Sequence, residues 1–134
     1  MLNSAGNDPV TVTFQLESTG GTEEVAVDLE DLAVNGVMVV TRGPNAGSRF
    51  ALGSDFITAG RHPDSDIFLD DVTVSRNHVE LTRQESGAYV VRDVGSLNGT
   101  YLNRERIEEA VLHNSDELQI GKFKLVYLDG GDSR

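Results

Sequence analysis

Apolar and polar residues alternate in short stretches along most of the chain, from residue 36 onwards. These stretches include GVMVVTR, FITAG, HVELTR, AYVVRDV and KFKLVYL. Turn-forming sequences such as GPNAG, HPDSD, ESG, GSLNG and HNSD separate them. Alternation of this kind predicts β-strands, and no stretch has a convincing helical period. Many short strands joined by turns predict an all-β fold, either a sandwich or a barrel.

One stretch, VTVSRNHVEL at residues 72–81, interrupts the pattern. Apolar residues alternate with polar ones at both of its ends, in VTV and in VEL, and this predicts a strand on each side. The four residues between them, SRNH at 75–78, are all polar. Because each of these side chains can form hydrogen bonds, the sequence predicts a polar loop between two strands.

The first 35 residues differ in composition from the rest of the chain. They are rich in Gly, Ser, Thr, Asn and acidic residues, and no Lys or Arg precedes Arg42. Such a segment is typically flexible and solvated. Its two apolar islets, VTVTF at 10–14 and VAVDLEDLAV at 25–34, are either incidental or short docking motifs. We expect a flexible acidic tail over residues 1–35, a strand-rich domain over 36–130 and a short C-terminal tail over 131–134.

Charge and composition exclude several classes of function. The 134 residues carry a formal net charge of -11, which disfavours nucleic acids and anionic membranes as partners. The absence of cysteine excludes thiolate catalysis, cysteine-based zinc sites and disulfides, and it fits a reducing compartment. No apolar run approaches the about 20 residues of a membrane span, and the N-terminus lacks the pattern of a signal peptide. We therefore expect a cytoplasmic protein.

Phosphate-loop and metal motifs are incomplete. GPNAGS at 43–48 lacks the GK[ST] ending of a phosphate loop and no predicted helix follows it, so a hairpin turn is favoured. The acid-rich stretch HPDSDIFLDD at 62–71 has Leu69 where a calcium loop requires glycine. The three histidines lack the spacing of paired zinc ligands. We expect neither a metal nor a cofactor.

A hydrolase would need a nucleophile, a base and an orienting acid in one site. Ser75, His78 and Asp93 supply these residue types, but no nucleophile elbow surrounds the serine. We therefore expect no catalytic residues and no enzyme activity.

Three polar loops between predicted strands contain the remaining chemistry. The first, GRHPDSD, carries Arg61, the second is SRNH, and the third, GSLNGT, carries Ser96, Asn98, Gly99 and Thr100. Loops at one end of a β-sandwich cluster in space. Together they would offer two guanidinium groups, two hydroxyls and an amide, which suit a phosphate or a carboxylate. From the residues alone, one anion site and three unrelated turns are equally open.

The order of these motifs, GR at 60–61, SRNH at 75–78 and NGT at 98–100, resembles the signature of the forkhead-associated (FHA) domain. The resemblance covers residues 36–129, the whole strand-rich region. FHA domains are β-sandwiches that bind phosphothreonine peptides. The resemblance therefore implies an FHA-type β-sandwich of many short, mostly antiparallel strands and a phosphothreonine site.

The same resemblance implies a role for each residue of the three motifs. Arg61 would grip the phosphate, Ser75 would donate its hydroxyl to a phosphate oxygen, and Arg76 would touch the phosphate beside it. Asn98 would hold the peptide backbone. Residues lining the third loop would be Ser96 and Leu97. Residues supporting the site would be Gly60, His78, Gly99 and Thr100.

Longer stretches, among them AGRHPDSDIFLDDVTVSR and DVGSLNGTYLNRE, resemble the small actinobacterial FHA regulators. That resemblance implies inhibition of 2-oxoglutarate dehydrogenase and adjustment of glutamate metabolism. It also implies that Ser/Thr protein kinases phosphorylate a threonine of the tail, which then binds the protein's own FHA site and switches it off. The alternative is an FHA adaptor that docks on phosphorylated kinases or other partners in trans, with no self-inhibiting tail.

The chain departs from that group in its tail and beside its second motif. The group has two adjacent threonines followed by Ser-Val-Phe, whereas this chain reads VTVTF at 10–14. Thr11 takes the place of the second threonine and keeps a large apolar residue three positions on, and Thr13 has Leu16 at the same offset. Both threonines are candidate phosphorylation sites. Asn77 stands where the group has arginine, and we assign it no role.

Overall fold

The computed structural model describes residues 11–18, 21–28 and 36–129. Within these ranges the chain forms thirteen β-strands and no helix, which confirms the all-β prediction. In chain order they are β1 Thr11–Ser18, β2 Gly21–Asp28, β3 Val37–Arg42, β4 Arg49–Ala51, β5 Phe56–Gly60, β6 Ile67–Phe68, β7 Val79–Arg83, β8 Tyr89–Asp93, β9 Thr100–Leu102, β10 Glu105–Ile107, β11 Glu109–Val111, β12 Glu117–Ile120 and β13 Phe123–Leu128. No helix of the described residues is long and apolar enough to cross a membrane.

Two sheets form a sandwich. One has six strands in the order β10-β9-β12-β13-β3-β4, and the other has five in the order β11-β8-β7-β5-β6. Neighbouring strands are antiparallel except β5 and β6, which are parallel. The main core lies between the sheets and includes Tyr89 and Tyr127, whose rings meet edge to face with centroids 6.3 Å apart. This architecture is the sandwich that the alternating pattern predicts.

Two neighbouring strands of the larger sheet, β3 and β13, are apolar on both faces. Met38 and Val40 of β3 point into the main core, whereas Val37 and Val39 point away from it. Because side chains of a strand alternate between faces, β3 reads as a continuous apolar run when both faces are covered. The outer face is covered by a second, smaller cluster of apolar side chains.

An N-terminal hairpin provides that cover. β1 and β2 pair antiparallel over their whole length, and Val25 and Val27 of β2 are buried in the outer cluster with Phe14 against it. The Nε atom of Arg49 also donates a hydrogen bond to the carbonyl oxygen of Ala26 at 2.7 Å. The two apolar islets thus pair with each other, in part of the segment for which the sequence predicted a flexible tail. The predictions for residues 1–10, 19–20, 29–35 and 130–134 lie outside the described residues.

Residues 72–74 are not a strand, and the prediction of one before the SRNH loop is wrong. The carboxylate of Asp71 accepts hydrogen bonds from the backbone nitrogen and the hydroxyl of Thr73, at 2.9 and 2.6 Å. Its backbone oxygen accepts from the nitrogen of Val74 at 3.0 Å. These bonds close a turn that overrides the strand preference of the valines. Val72 is 87% exposed as a result.

The turns predicted at GPNAGS and in the acid-rich stretch HPDSDIFLDD are present in the structure. GPNAGS at 43–48 is the turn between β3 and β4, where the nitrogen of Gly47 donates to the oxygen of Val40 at 2.7 Å. In the acid-rich stretch, the carboxylate of Asp66 accepts from the nitrogen and hydroxyl of Thr58, at 3.0 and 3.3 Å. That acid therefore joins the turn to β5.

Candidate functional site

Three loops meet at one end of the sandwich, after β5, before β7 and between β8 and β9. The first two are joined through the backbone: the nitrogen of Arg61 donates to the oxygen of Ser75 at 3.0 Å, and that of His62 to the oxygen of Arg76 at 3.2 Å. Gly60 makes this approach possible, because a Cβ atom there would lie 2.1 Å from the oxygen of Arg76. The structure thus brings the first two sequence motifs together.

Arg61 and Arg76 are both exposed at this end. The Nε atom of Arg61 donates to the oxygen of Val74 at 3.0 Å, which orients the planar group. Its two η nitrogens have no hydrogen bond or ion pair with any described residue, and neither has the side chain of Arg76. Two positively charged donors are therefore available to an anion at this site.

The hydroxyl of Ser75 lies between the second and third loops. Its oxygen accepts a hydrogen bond from the backbone nitrogen of Leu97 at 2.9 Å. A hydroxyl carries one donor besides its acceptor sites, so the hydrogen of Ser75 remains free to bond a ligand oxygen. The side chain of Leu97 is 86% exposed beside it.

His78 is fully buried and ties the same two loops from beneath. Its Nδ1 atom accepts from the nitrogen of Ser75 at 3.1 Å, and its Nε2 atom bonds the oxygen of Gly99 at 2.9 Å. Because one partner is a donor and the other an acceptor, the ring is neutral with its proton on Nε2. Burial lowers the pKa of His78 and favours this neutral form, although the bond to Gly99 and the charge of Asp93 oppose the shift.

Asp93 organises the third loop, a role that sequence reasoning missed. Its carboxylate accepts from the nitrogens of Gly95 and Ser96 at 2.8 and 2.9 Å and from the hydroxyl of Thr100 at 2.7 Å. It also accepts from the hydroxyl of Ser96, whose oxygen in turn accepts from the nitrogen of Gly99 at 2.9 Å. Partial burial raises the pKa of Asp93, but these hydrogen bonds outweigh it and lower the pKa to about 2.

Asn98 lies at the tip of the third loop, next to an open cleft. Its Nδ2 atom donates to the oxygen of Thr73 at 2.9 Å, and the hydroxyl oxygen of Thr73 accepts from the nitrogen of Lys122 at 2.9 Å. These bonds tie the third loop to the turn between β12 and β13. The cleft, of about 260 Å³, is lined by Thr73, Asn98, Gly99, Tyr101, Gln119, Gly121 and Lys122.

The residues that could be named as a hydrolase triad do not form one. Both ring nitrogens of His78 form hydrogen bonds with backbone atoms, so neither is bonded to the hydroxyl of Ser75. The carboxylate of Asp93 bonds its own loop. Among the described residues, no group of His, Cys, Asp and Glu could hold a metal ion. The arrangement instead presents an orientated arginine, a second arginine and a free hydroxyl donor, which are groups that bind a phosphate.

Replacing Asp93 with asparagine should destabilise the domain by about 2 kcal/mol, because an amide cannot accept all the bonds that the charged carboxylate accepts. The folded-state pKa of about 2 lies below the ordinary 3.8, so the ionised group stabilises the fold above about pH 4. This contribution should be lost as the pH falls from 4 towards 2, and the variant should lack it. Urea unfolding at several pH values measures both effects.

Asp64→Asn is the matched control, because its side chain is 92% exposed and should change stability little. Equal unfolding free energies for the two variants would contradict the role given to Asp93.

The sandwich and its converging loops define an FHA domain. The family model of the FHA domain matches residues 57–121, which contain all three loops. A solved FHA domain from a structural and functional analysis of phosphothreonine-dependent FHA domain interactions superposes with a TM-score of 0.62 at 25% identity. That superposition covers 69% of this chain and 95% of that one.

Two curated relatives specify the family further. The chain is 59% identical over 117 residues to the glycogen accumulation regulator GarA of Mycolicibacterium smegmatis, covering 87% of this chain and 73% of that protein. It is 56% identical over 117 residues to the oxoglutarate dehydrogenase inhibitor of Corynebacterium diphtheriae, covering 87% of this chain and 81% of that protein. The chain belongs to the family of FHA-domain proteins that contains these two regulators, which confirms the resemblance found in the sequence.

Proposed function

We propose that this protein is a non-catalytic regulator that binds phosphothreonine peptides through its three loops. The observation that carries the proposal is the geometry around Arg61. Its Nε atom is held by Val74, both η nitrogens have no partner among the described residues, and its backbone is bonded to Ser75, whose hydroxyl keeps a free donor. Phosphate oxygens accept forked bonds from arginine and single bonds from a hydroxyl. Two arginines without acidic partners stand out in a protein of net charge -11, in which acidic residues outnumber basic ones two to one.

Each residue of the site has a proposed role. Arg61 and Arg76 contact the phosphate, and Ser75 donates a hydrogen bond to it. Asn98, which already donates to Thr73, keeps its carbonyl oxygen for an N–H group of the peptide backbone. The residues proposed to line the third loop are Ser96 and Leu97. The residues proposed to support the site are Gly60, His78, Gly99 and Thr100.

The proposed metabolic target is 2-oxoglutarate dehydrogenase, which the unphosphorylated protein would inhibit and thereby adjust glutamate and central carbon metabolism. The support is the identity of 56% with the corynebacterial inhibitor over 87% of the chain. A cytoplasmic location follows from this target, and Ser/Thr protein kinases and enzymes of glutamate metabolism are further proposed partners.

The proposed switch is the N-terminal segment that carries Thr11 and Thr13. Both side chains are exposed on β1, where a kinase can reach them. Phosphorylation would add about -1.5 to -2 charges and three acceptor oxygens, which suit a pair of arginines. A tethered segment reaches an effective concentration on the order of mM, so a modest affinity suffices for the tail to occupy its own site.

To test the function, the full chain is phosphorylated by a Ser/Thr protein kinase and its backbone amide signals are followed by NMR. We expect the signals around Arg61, Ser75 and Asn98 to shift and the inhibition of 2-oxoglutarate dehydrogenase to be lost. Thr11→Ala should prevent both effects, with Thr13→Ala as the matched variant that identifies the modified residue. Loop signals that stay in place in the phosphorylated wild-type chain would refute the tail switch. Binding of a synthetic phosphothreonine peptide to the same loops tests the site independently.

A further inference from the structure

The outer face of the larger sheet is already occupied by the segment that the proposed switch would move. Val25 and Val27 are 8% and 0% exposed where they meet the domain. Their partners on β3 and β13 are Val37, Val39, Val126 and Leu128, each exposed by 5% or less. We call this set of six apolar side chains the valine cluster. With it, the bond from Arg49 to the oxygen of Ala26 fixes the hairpin to the edge strand β4.

The hairpin presents its two candidate threonines on the face opposite the valine cluster. Thr13 pairs with Ala26, and both are exposed, whereas Phe14 pairs with Val25 and packs against the cluster. Side chains alternate along a strand, so the threonines and Phe14 necessarily lie on opposite faces of β1. A kinase can therefore approach Thr11 and Thr13 while Phe14 remains in contact with the domain.

The valine cluster lies towards the C-terminal end of β13, whereas the three loops of the phosphate site lie near its N-terminal end. Leu128 pairs with Val37 at one end of the strand. Phe123, at the other end, follows the turn at Lys122 that hydrogen-bonds to Thr73 beside Asn98. Val126, the cluster residue nearest that turn, lies three residues from Phe123, a span of about 10 Å. A segment seated on the valine cluster is therefore held away from the loops.

We propose that the outer face of β3 and β13 is a second docking surface for the N-terminal segment. Docking there excludes binding of the same segment at the three loops of the phosphate site. The inference rests on the proposed tail switch. Phe14 is the group that decides it, because it follows Thr11 by three positions and packs on the valine cluster in the docked state. Its backbone is also paired with β2, so Thr11 and Phe14 cannot lie along the loops as an extended peptide until the hairpin is released.

Competition between the valine cluster and the three loops for the same segment has a measurable consequence. Only the undocked fraction of the segment can bind the loops. The apparent equilibrium constant for closure is therefore the intrinsic constant multiplied by that undocked fraction. A substitution that weakens docking should therefore strengthen self-inhibition, although it touches neither the loops nor the threonines. Closure should in turn uncover Val37, Val39 and Val126.

The test uses the full phosphorylated chain with Val27→Asn, and Ala26→Asn as the matched control. Both variants add the same uncharged amide at adjacent positions of β2, but Val27 is buried in the cluster and Ala26 is exposed. The probe is a synthetic peptide of residues 6–16 phosphorylated on Thr11, titrated until it displaces the tail. Val27→Asn should raise the peptide concentration needed by about tenfold, the effect expected for losing one buried valine, and Ala26→Asn should leave it unchanged.

Two readouts keep failure of the inference apart from failure of the function. Before phosphorylation, all three proteins should bind the peptide equally, which shows that the loops are intact. Methyl signals of Val37, Val39 and Val126 should move on phosphorylation of the wild-type chain. Loop signals that respond while these methyl signals stay fixed would overturn the competition alone, as would equal behaviour of the two variants. Loops that do not respond at all would overturn the tail switch and the competition with it.

Discussion

Replacing Arg61 with alanine should weaken the binding of a phosphothreonine peptide by about a hundredfold, as expected for losing two hydrogen bonds between charged groups. The structure explains why the effect should be large. The Nε atom of Arg61 donates a hydrogen bond to the oxygen of Val74 at 3.0 Å, so the guanidinium is orientated before a ligand binds. Arg61→Lys should recover little affinity, because a lysine is a point charge without the planar fork. Calorimetric titration of the full unphosphorylated chain measures these affinities.

Arg83→Ala is the control for a general effect of charge. Arg83 ends β7, at the opposite end of that strand from His78, and it forms an ion pair with Asp55 at 3.4 Å. Its removal should change the affinity by less than about twofold, because salt screens exposed charges at this separation. If both substitutions weakened binding equally, net charge would explain the result and the site geometry would not.

The sequence predicted the sandwich well because its signal is local. Alternation along FITAG, HVELTR and AYVVRDV reports which residues face the core, and these stretches became β5, β7 and β8. Two edge strands, β10 and β11, were not predicted. They contain mostly charged or exposed residues and follow the turn at Asn103 and Arg104, whose φ angles are 50° and 75°. Their pairing with β9 and β8 is fixed by neighbours rather than by their own composition.

The hairpin and the SRNH loop were harder to predict for a different reason. The apolar islets show alternation, but their burial depends on the outer face of β3 and β13. Of these two strands, β13 is about a hundred residues away in sequence. In VTV, the strand preference of the valines loses to the carboxylate of Asp71, which bonds Thr73 twice. Local propensity describes one segment at a time, whereas these outcomes depend on the partners that the fold supplies.

The candidate site was only partly visible in the sequence. The motif order named the three loops, and the structure brings them to one end of the sandwich. The bonds that join them connect distant residues, such as the nitrogen of Leu97 with the hydroxyl of Ser75, 22 positions apart. Asp93 was considered only as a possible triad member, since a lone acid at the end of a strand does not by itself indicate the four donors that surround it. The local signal that could have identified it is its spacing before Gly95 and Ser96, because aspartate commonly accepts from backbone nitrogens two and three positions on.

Replacing Gly60 with alanine should destabilise the domain by about 3 kcal/mol, the cost of forcing extra volume into a packed interior. The new Cβ atom would lie 2.1 Å from the oxygen and 2.9 Å from the carbonyl carbon of Arg76. Both are backbone atoms, so a change of rotamer cannot relieve the contact. The SRNH loop would have to move away from β5, carrying the Ser75 hydroxyl with it. The peptide affinity should therefore fall together with the free energy of unfolding, as urea unfolding and peptide titration can show.

Gly53→Ala separates this contact from the general effect of losing a glycine. No heavy atom lies within 4 Å of a Cβ atom built at Gly53, and its φ is outside the left-handed region. Alanine at such a position restricts the unfolded chain, so this variant should be unchanged or more stable by up to about 1 kcal/mol. Its peptide affinity should equal that of the wild-type chain, because Gly53 lies before β5 and away from the loops. If Gly60→Ala were as stable as Gly53→Ala, the backbone of Arg76 could not lie against β5. The first two loops would then not be held together as the phosphate site requires.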